Sequence, residues 1–119
     1  MKGSQREKGM EGEELAINYL KKDGYKIIER NYRSPFGEID IIAISGDVLV
    51  FVEVKRRDSK TFGNSLSAIT EDKKKKIVMT ALYYLKKEKK EAKKVRFDVV
   101  GIDEKSVKIV KNAFTVDWT

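Results

Sequence analysis

Two apolar segments joined by a Gly-Asp pair constrain the fold of this sequence more than any other feature. Residues 38–45 and 48–56 are rich in Ile, Val and Phe, and Gly46-Asp47 lies between them. Segments of this length and composition form β-strands, and a Gly-Asp pair between two strands is typical of a two-residue hairpin turn. The sequence therefore predicts an antiparallel pair of strands in the middle of the chain.

The segments on either side of this hairpin predict the remaining elements. Apolar positions at helical spacing predict a first helix from Glu7 to about Lys22, stopped by Gly24, and a second helix that begins after a Thr70 cap. Loops are predicted at residues 34–37 and 57–68, and further strands at residues 25–32, 96–102 and 107–110. The expected order is αβββαβ, with a final strand optional, which is an α/β fold.

Composition limits the size and the chemistry of this fold. With 119 residues and 40% hydrophobic content, the chain can build one compact core, so we expect a single domain over residues 1–119. Cys and His are both absent, which excludes disulfides, thiolate or imidazole metal sites and Ser/His catalysis. No apolar run approaches a membrane span or a signal peptide, so we expect a soluble cytoplasmic protein.

The chain is strongly basic. Its formal net charge is +7, from 26 Lys and Arg against 19 Asp and Glu. A surplus of this size favours a polyanionic partner such as nucleic acid or an anionic membrane. Equally, 38% charged residues in Lys/Glu mixtures are typical of a well-solvated, thermostable surface, so composition leaves both interpretations open.

Two carboxylates occupy strand positions where apolar side chains are expected. Alternation places Glu53 and Lys55 on one face of the third strand, and Asp40 on the face of Ile42 and Ile44 in the second strand. With Gly46-Asp47 as the hairpin loop, counting back along both strands puts Asp40 opposite Glu53. Two like charges so close repel, and partial burial makes each charge more costly. A lysine or a divalent cation with oxygen ligands is expected between them.

A third carboxylate belongs to the apolar stripe of the first helix. Glu13 precedes Ala16, Ile17 and Leu20 by three, four and seven residues, so it points with them toward the sheet. Each carboxylate alone has a simpler explanation, such as a helix-end charge, an edge-strand charge or an exposed salt bridge. Three converging carboxylates with one lysine instead predict a metal site.

These residues also resemble a known signature. The segments 37–43 (GEIDIIA) and 51–57 (FVEVKRR) resemble the PD-(D/E)xK nuclease motif, although Ile39 stands where the motif has proline. The whole chain, from about Gly9 to Phe114, resembles the YraN-type family of uncharacterised bacterial proteins, which is similar to archaeal Holliday-junction resolvases. The likeness also covers residues 9–13, Ala16, residues 62–63, Lys73 and residues 96–100.

The resemblance implies a restriction-endonuclease-like fold, a mixed central sheet of four to five strands flanked by helices. It further implies a nuclease in which Asp40 and Glu53 bind Mg²⁺ or Mn²⁺, Lys55 is catalytic and Glu13 is a supporting carboxylate. The expected substrate is nucleic acid, chiefly DNA, and branched or structured DNA is one of the candidate substrates. A resolvase-like role would call for a homodimer, because two sites must meet two strands.

Several neighbouring groups are candidates for supporting roles. The Val54 carbonyl could complete the metal ligands, and Lys55 could orient or deprotonate water or stabilise the charged transition state. Glu38 is either an outer ligand or a strand-end charge. Arg57 is expected to contact phosphate, and Lys73 either reaches the edge of the site or is a lysine with a buried stem.

Two other classes of function fit the same sequence. One is a nucleic-acid-binding protein that keeps the nuclease fold without cleaving. The other is a soluble partner-binding protein whose charges form stabilising networks. The lysine-rich run at residues 86–94 fits a solvated helix end as well as a phosphate contact, and Arg96 and Asp98 could simply pair with each other.

Overall fold

The computed structural model describes residues 5–56, 69–89, 94–103 and 106–115. The loop predicted at residues 57–68 therefore lies outside the described residues. The helices and strands of the described part are, in chain order, α1 (Gln5–Lys22), β1 (Lys26–Ser34), β2 (Gly37–Ser45), β3 (Val48–Arg56), α2 (Glu71–Lys87), β4 (Val95–Ile102) and β5 (Val107–Val110).

The five strands form one sheet in the order β1-β2-β3-β4-β5. Every neighbouring pair is antiparallel except β3 and β4, which run parallel. Parallel neighbours need a crossover connection, and α2 lies within the connection between β3 and β4. The predicted α/β architecture with a mixed sheet of four to five strands is confirmed.

Each face of the sheet is covered by one of these helices. On one face Ala16, Ile17 and Leu20 of α1 pack in a cluster with Val50 and Val52. On the other face α2 packs Ile77, Ala81 and Tyr84 in a cluster that includes Leu49, Phe51 and Phe97. The predicted alternation of β3 is therefore confirmed. Because both faces of β3 are apolar and buried, its charged residues appear only at its carboxyl end.

The helix ends follow the signals in the sequence. Gly24, just beyond α1, has φ +88°, a conformation that costs glycine little and other residues more. At the start of α2 the Thr70 hydroxyl accepts a hydrogen bond from the Lys73 backbone N–H at 3.1 Å. This satisfies one of the free N–H groups of the first turn.

The connection between β1 and β2 is tighter than the predicted loop at residues 34–37. Ser34 pairs with Gly37 as the last pair of the β1–β2 ladder, which leaves Pro35 and Phe36 as a two-residue turn. The Ser34 hydroxyl closes this turn by accepting the Phe36 N–H at 3.0 Å. Gly37 has φ +155°, which favours glycine. The sequence indicated a turn at these residues, but it did not predict that Ser34 and Gly37 pair as the ends of the two strands.

In the part of the chain that the structure describes, neither helix is long and apolar enough to cross a membrane.

Candidate metal site

The site begins where β2 and β3 separate. Their ladder runs from Ser45 and Val48 to Ile41 and Val52, as the hairpin register predicted. Beyond that point β2 stays paired with β1 as far as Gly37. The β3 strand stays paired with β4 as far as Arg56. Each inner strand therefore follows its outer neighbour, and a gap opens in the middle of the sheet.

Asp40 occupies this gap with its side chain. Its Oδ2 accepts a hydrogen bond from the Val54 backbone N–H at 2.8 Å. A backbone N–H freed from its ladder needs another acceptor, and the carboxylate supplies one. The predicted placement of Asp40 directly opposite Glu53 is therefore corrected, because the ladder ends one pair before these two residues.

The facing predicted for Asp40 also needs correction. Strict alternation puts Asp40 on the same face as Ile42 and puts Ile39 on the other face. In the structure Ile39 instead packs in the same cluster as Ile42, against α2. Alternation is thus interrupted at the point where the strands separate. The Asp40 carboxylate lies close to Glu13 of α1 and to Glu38.

Three carboxylates, one from α1 and two from β2, meet at this gap. Oxygen atoms of Glu13, Glu38 and Asp40 all lie within 4.8 Å of one another. Glu13 reaches the cluster from α1 and accepts a hydrogen bond from the Asn31 side chain at 3.1 Å. Glu38 lies 3.4 Å from the Arg33 guanidinium. Glu13 and Asp40 lie together as the sequence predicted, but the third member of the group is Glu38, where the prediction had Glu53.

Glu53 adjoins the cluster through Asp40. It is buried, and its Oε1 lies 3.5 Å from the Lys73 ammonium. Burial and, after it, the negative charge of Glu53 raise the pKa of Asp40 to about 7, while the hydrogen bond from the Val54 N–H opposes the rise. Burial also raises the pKa of Glu53, while the charges of Lys73 and Lys55 and a hydrogen bond with Asp40 oppose that rise. Without a bound cation it is therefore energetically costly for Asp40 and Glu53 to be ionised at the same time.

The remaining candidates fall as follows. Lys55 is partly buried at the end of β3, and its charge lowers the pKa of Glu53. Lys73 reaches the edge of the site, so of its two interpretations the site contact is the one observed. The N–H and C=O of one strand residue point to the same side, so the Val54 carbonyl also points toward the gap. Arg57 lies outside the described residues.

The donor set fits a hard divalent cation. All the donors are carboxylate oxygens with a backbone carbonyl beside them, which are the ligands that Mg²⁺ and Mn²⁺ prefer. In an octahedral Mg²⁺ site with bonds of about 2.1 Å, ligand atoms on opposite sides are ~4.2 Å apart. Neighbouring ligand atoms in such a site are only ~3.0 Å apart, so carboxylate oxygens that lie within 4.8 Å of one another would move closer together around a bound ion. Asp40, Glu13 and Glu38 are thus the residues that would hold such an ion, with Glu53 beside them.

Asn31 is a part of the site that the sequence did not reveal. It has φ +52° and directs its amide to Glu13 across the space between β1 and α1. Asn tolerates this left-handed conformation better than most residues, which is the only signal that the sequence carried. The conformation lies within a strand, where no turn pattern drew attention to it.

A second polar cluster lies on the same sheet. Asp98, 1% exposed, accepts hydrogen bonds from the Tyr25 hydroxyl at 2.8 Å, from Arg96 at 2.8 and 2.9 Å and from the Asn112 backbone N–H at 2.9 Å. The alternative that Arg96 and Asp98 pair with each other is confirmed. Asp98, Arg96 and Tyr25 therefore form a closed internal network, which we call the Asp98 network.

The fold and this site define an α/β protein with a mixed sheet whose central strands part around a group of acids. A family model described as "Uncharacterised protein family UPF0102" matches residues 12–102. The chain belongs to this family, so the predicted membership of an uncharacterised bacterial family is confirmed at that level.

Relatives in the family are similar over nearly their whole length. A UPF0102 protein of Thermodesulfovibrio yellowstonii is 51% identical over 108 residues, which cover 91% of this chain and 96% of the relative. One from Persephonella marina is 45% identical over 111 residues, with 93% and 96% coverage. One from Legionella pneumophila is 47% identical over 111 residues, with 91% and 94% coverage. Their names give a family and no activity.

Proposed function

We propose that this chain is a nuclease of the restriction-endonuclease-like PD-(D/E)xK class, dependent on Mg²⁺ or Mn²⁺. It hydrolyses phosphodiester bonds in nucleic acid, chiefly DNA, and branched or structured DNA is one of the candidate substrates. The observation that carries this proposal is the group of acids in the gap between β2 and β3, with Asp40 bonded to the Val54 N–H and Lys73 beside Glu53.

The acids support a metal-dependent reaction because ionising Asp40 and Glu53 at the same time is energetically costly. Burial raises the pKa of both Asp40 and Glu53, and the negative charge of Glu53 adds to the rise at Asp40. A structural cluster would need internal cations to offset that cost, as a buried carboxylate without a partner is strongly destabilising. A bound divalent cation offsets it and supplies Lewis-acid stabilisation of phosphate oxygens together with activation of water.

The chain's own cations complete the proposed chemistry. Lys55 lies at the carboxyl end of β3, two residues after Glu53, where its ammonium can orient the attacking water or balance charge on the phosphate. Lys73 holds Glu53 in place from α2 at 3.5 Å. The net charge of +7 favours a polyanionic substrate at long range.

A cleavage assay with matched variants tests the proposal. The full chain is incubated with Mg²⁺ or Mn²⁺ and single-stranded, duplex or four-way-junction DNA. Asp40→Asn and Glu53→Gln should lower the cleavage rate by roughly 100-fold or more, as removal of charge-stabilising groups does in other enzymes. Glu14→Gln is the control, because Glu14 is an exposed neighbour of Glu13 that pairs with Arg30.

Three outcomes decide among the functions. Cleavage by wild type that depends on Asp40 and Glu53 supports the nuclease. Binding of nucleic acid without cleavage under either cation overturns it in favour of the non-catalytic binding protein. Failure to bind any nucleic acid at low salt overturns both. If four-way junctions are the substrate, sedimentation should give a dimer, because a resolvase must present two sites to two strands.

A further inference from the structure

An exposed aromatic ring is held on a tightly fixed turn close to the acids. Phe36 lies in the β1–β2 turn, and its ring is 45% exposed. The Ser34 hydroxyl accepts the Phe36 N–H at 3.0 Å and shares a second hydrogen bond with Thr80 of α2 at 2.9 Å. The turn is therefore anchored to α2, so Phe36 pays little conformational entropy when another group packs on it.

Tyr83 of α2 extends this aromatic surface. The rings of Phe36 and Tyr83 lie 6.4 Å apart at an interplanar angle of 71°, and Tyr83 contacts Tyr32 on its other side at 6.4 Å. Phe36 is thus supported by a row of rings that leads into the core. A ring supported in this way and still open to solvent is a ready partner for a flat ligand.

Two lysines lie beside Tyr83. The Lys87 ammonium lies 5.4 Å from the centre of the Tyr83 ring. Lys86, Lys87 and Tyr83 line a shallow depression of about 460 Å³. Glu88 is the acid that follows them, and Lys89 follows in turn, so the local balance is positive. An open ring beside several lysines matches the two parts of a nucleotide, a flat base and an anionic phosphate.

The position of this surface relates it to the acids. Phe36 lies in the turn that leads into β2, four residues before Asp40, which is about 13 Å at a strand's rise of ~3.3 Å per residue. A nucleic-acid strand that stacks on Phe36 would therefore be within a few nucleotides of the gap between β2 and β3. A duplex offers only stacked, covered base faces, whereas an unpaired segment offers open ones.

We propose that Phe36, supported by Tyr83 with Lys86 and Lys87 beside that tyrosine, is a stacking site for an unpaired base of single-stranded nucleic acid. The inference rests on the proposed function, because it takes nucleic acid to be the ligand of this chain. It adds the residues that recognise the strand and the form of substrate that they select.

Binding measured without divalent cations tests this site separately from cleavage. Fluorescence anisotropy in EDTA compares a labelled 20-nucleotide oligo(dT) or oligo(U) with a blunt duplex of equal length. Phe36→Ala should weaken single-strand binding by roughly 5-fold or more and leave duplex binding nearly unchanged, because stacking on one aromatic ring is lost. Phe36→Trp should keep the affinity. Leu15→Ala is the matched control, since Leu15 is an equally exposed apolar residue on α1, 48% exposed.

The lysines give a second, independent measurement. Changing Lys86 and Lys87 together to Gln removes two phosphate contacts, so the slope of log affinity against log salt for the single strand should fall by roughly 1.4. The corresponding change of Lys21 and Lys22, exposed at the end of α1, is the control and should alter the slope less.

A direct spectroscopic readout guards against a folding artefact. In a Trp118→Phe background, Phe36→Trp places the only tryptophan on the turn, and oligo(dT) should quench its emission. Unchanged emission, equal single-strand affinity of Phe36→Ala and wild type, or a parallel loss on the duplex would each overturn the stacking site. So would a wild type that binds no oligonucleotide at low salt. If these binding results hold but the chain does not cleave, the nuclease proposal is overturned and the stacking site stands.

Discussion

Asp40 and Asp98 are carboxylates of the same sheet with opposite surroundings. Asp98 accepts four hydrogen bonds, two of them from the guanidinium of Arg96. Asp40 accepts one hydrogen bond from a backbone N–H and faces the carboxylates of Glu13, Glu38 and Glu53.

The difference separates a carboxylate whose charge is balanced within the chain from one that faces other carboxylates. The charge of Asp98 is balanced within the chain, and Tyr25 is locked into the same network, where burial and Asp98 raise the pKa of its hydroxyl. The charge of Asp40 is surrounded by charges of the same sign. Burying unbalanced charge destabilises a fold, and under the proposed function a divalent cation offsets that cost at Asp40.

The largest effect is expected from breaking the Asp98 network. Asp98→Ala leaves the guanidinium of Arg96, the Tyr25 hydroxyl and the Asn112 N–H without their shared acceptor. Removing one partner of a buried ion pair costs about 3–5 kcal/mol of unfolding free energy. Urea unfolding measures this loss, and a loss under about 1 kcal/mol would show that the network is not structural.

The opposite sign is expected at Asp40. Its folded pKa of about 7 lies above the ordinary value of 3.8, so the neutral acid stabilises the fold at low pH. That stability is lost as pH rises from about 4 to 7, because over this range the Asp40 carboxyl is ionised in the unfolded chain but still protonated in the fold. Asp40→Asn stays neutral and still accepts the Val54 N–H. In EDTA at pH 8 it should therefore be more stable than wild type by roughly 2–4 kcal/mol.

The pH series supplies the control for this prediction. At pH 4 the two proteins should differ little, because Asp40 is then neutral in the fold. The gain should grow up to about pH 7 and stay constant above it. Equal stability at every pH, or a loss at pH 8, would contradict the placement of Asp40 among uncompensated acids.

A divalent cation should stabilise the fold through the acids in the gap between β2 and β3 alone. At 100 times its dissociation constant, Mg²⁺ or Mn²⁺ bound to the folded wild type adds about 2.7 kcal/mol. Thermal unfolding with and without the ion should show this as a rise in Tm that Asp40→Asn and Glu13→Gln abolish and Glu14→Gln keeps. A rise that survives the first two variants would place the ion elsewhere.

The smallest effect is expected at Lys73, which sharpens the contrast within the site. Its side chain is 42% exposed, so Lys73→Gln should change stability by less than about 1 kcal/mol. The pKa of Glu53 should nevertheless rise, because the largest charge that lowers it is gone. Carboxyl-carbon NMR titration measures this rise. Lys74→Gln, which breaks an exposed pair with Glu71, should leave the pKa of Glu53 in place.

Much of the fold followed from local patterns in the sequence. The bounds of β3 and β5 match the predicted segments, and the hairpin register around Gly46-Asp47 holds for five residue pairs. These features depend on alternation, turn residues and apolar periodicity, which are properties of short segments. The placement of Glu13 beside Asp40 also followed, because helical spacing fixed which way Glu13 points.

The tertiary structure decided where the sheet opens. No local pattern in residues 37–56 says that β2 stays with β1, and β3 with β4, after Ile41 and Val52; the packing of the outer strands and helices determines it. That separation frees the Val54 N–H, draws the Asp40 carboxylate into the gap and brings Glu38 into the cluster. The sequence supplied the acids, and long-range pairing set the distances between them, because only contacts among distant segments fix how two strands part.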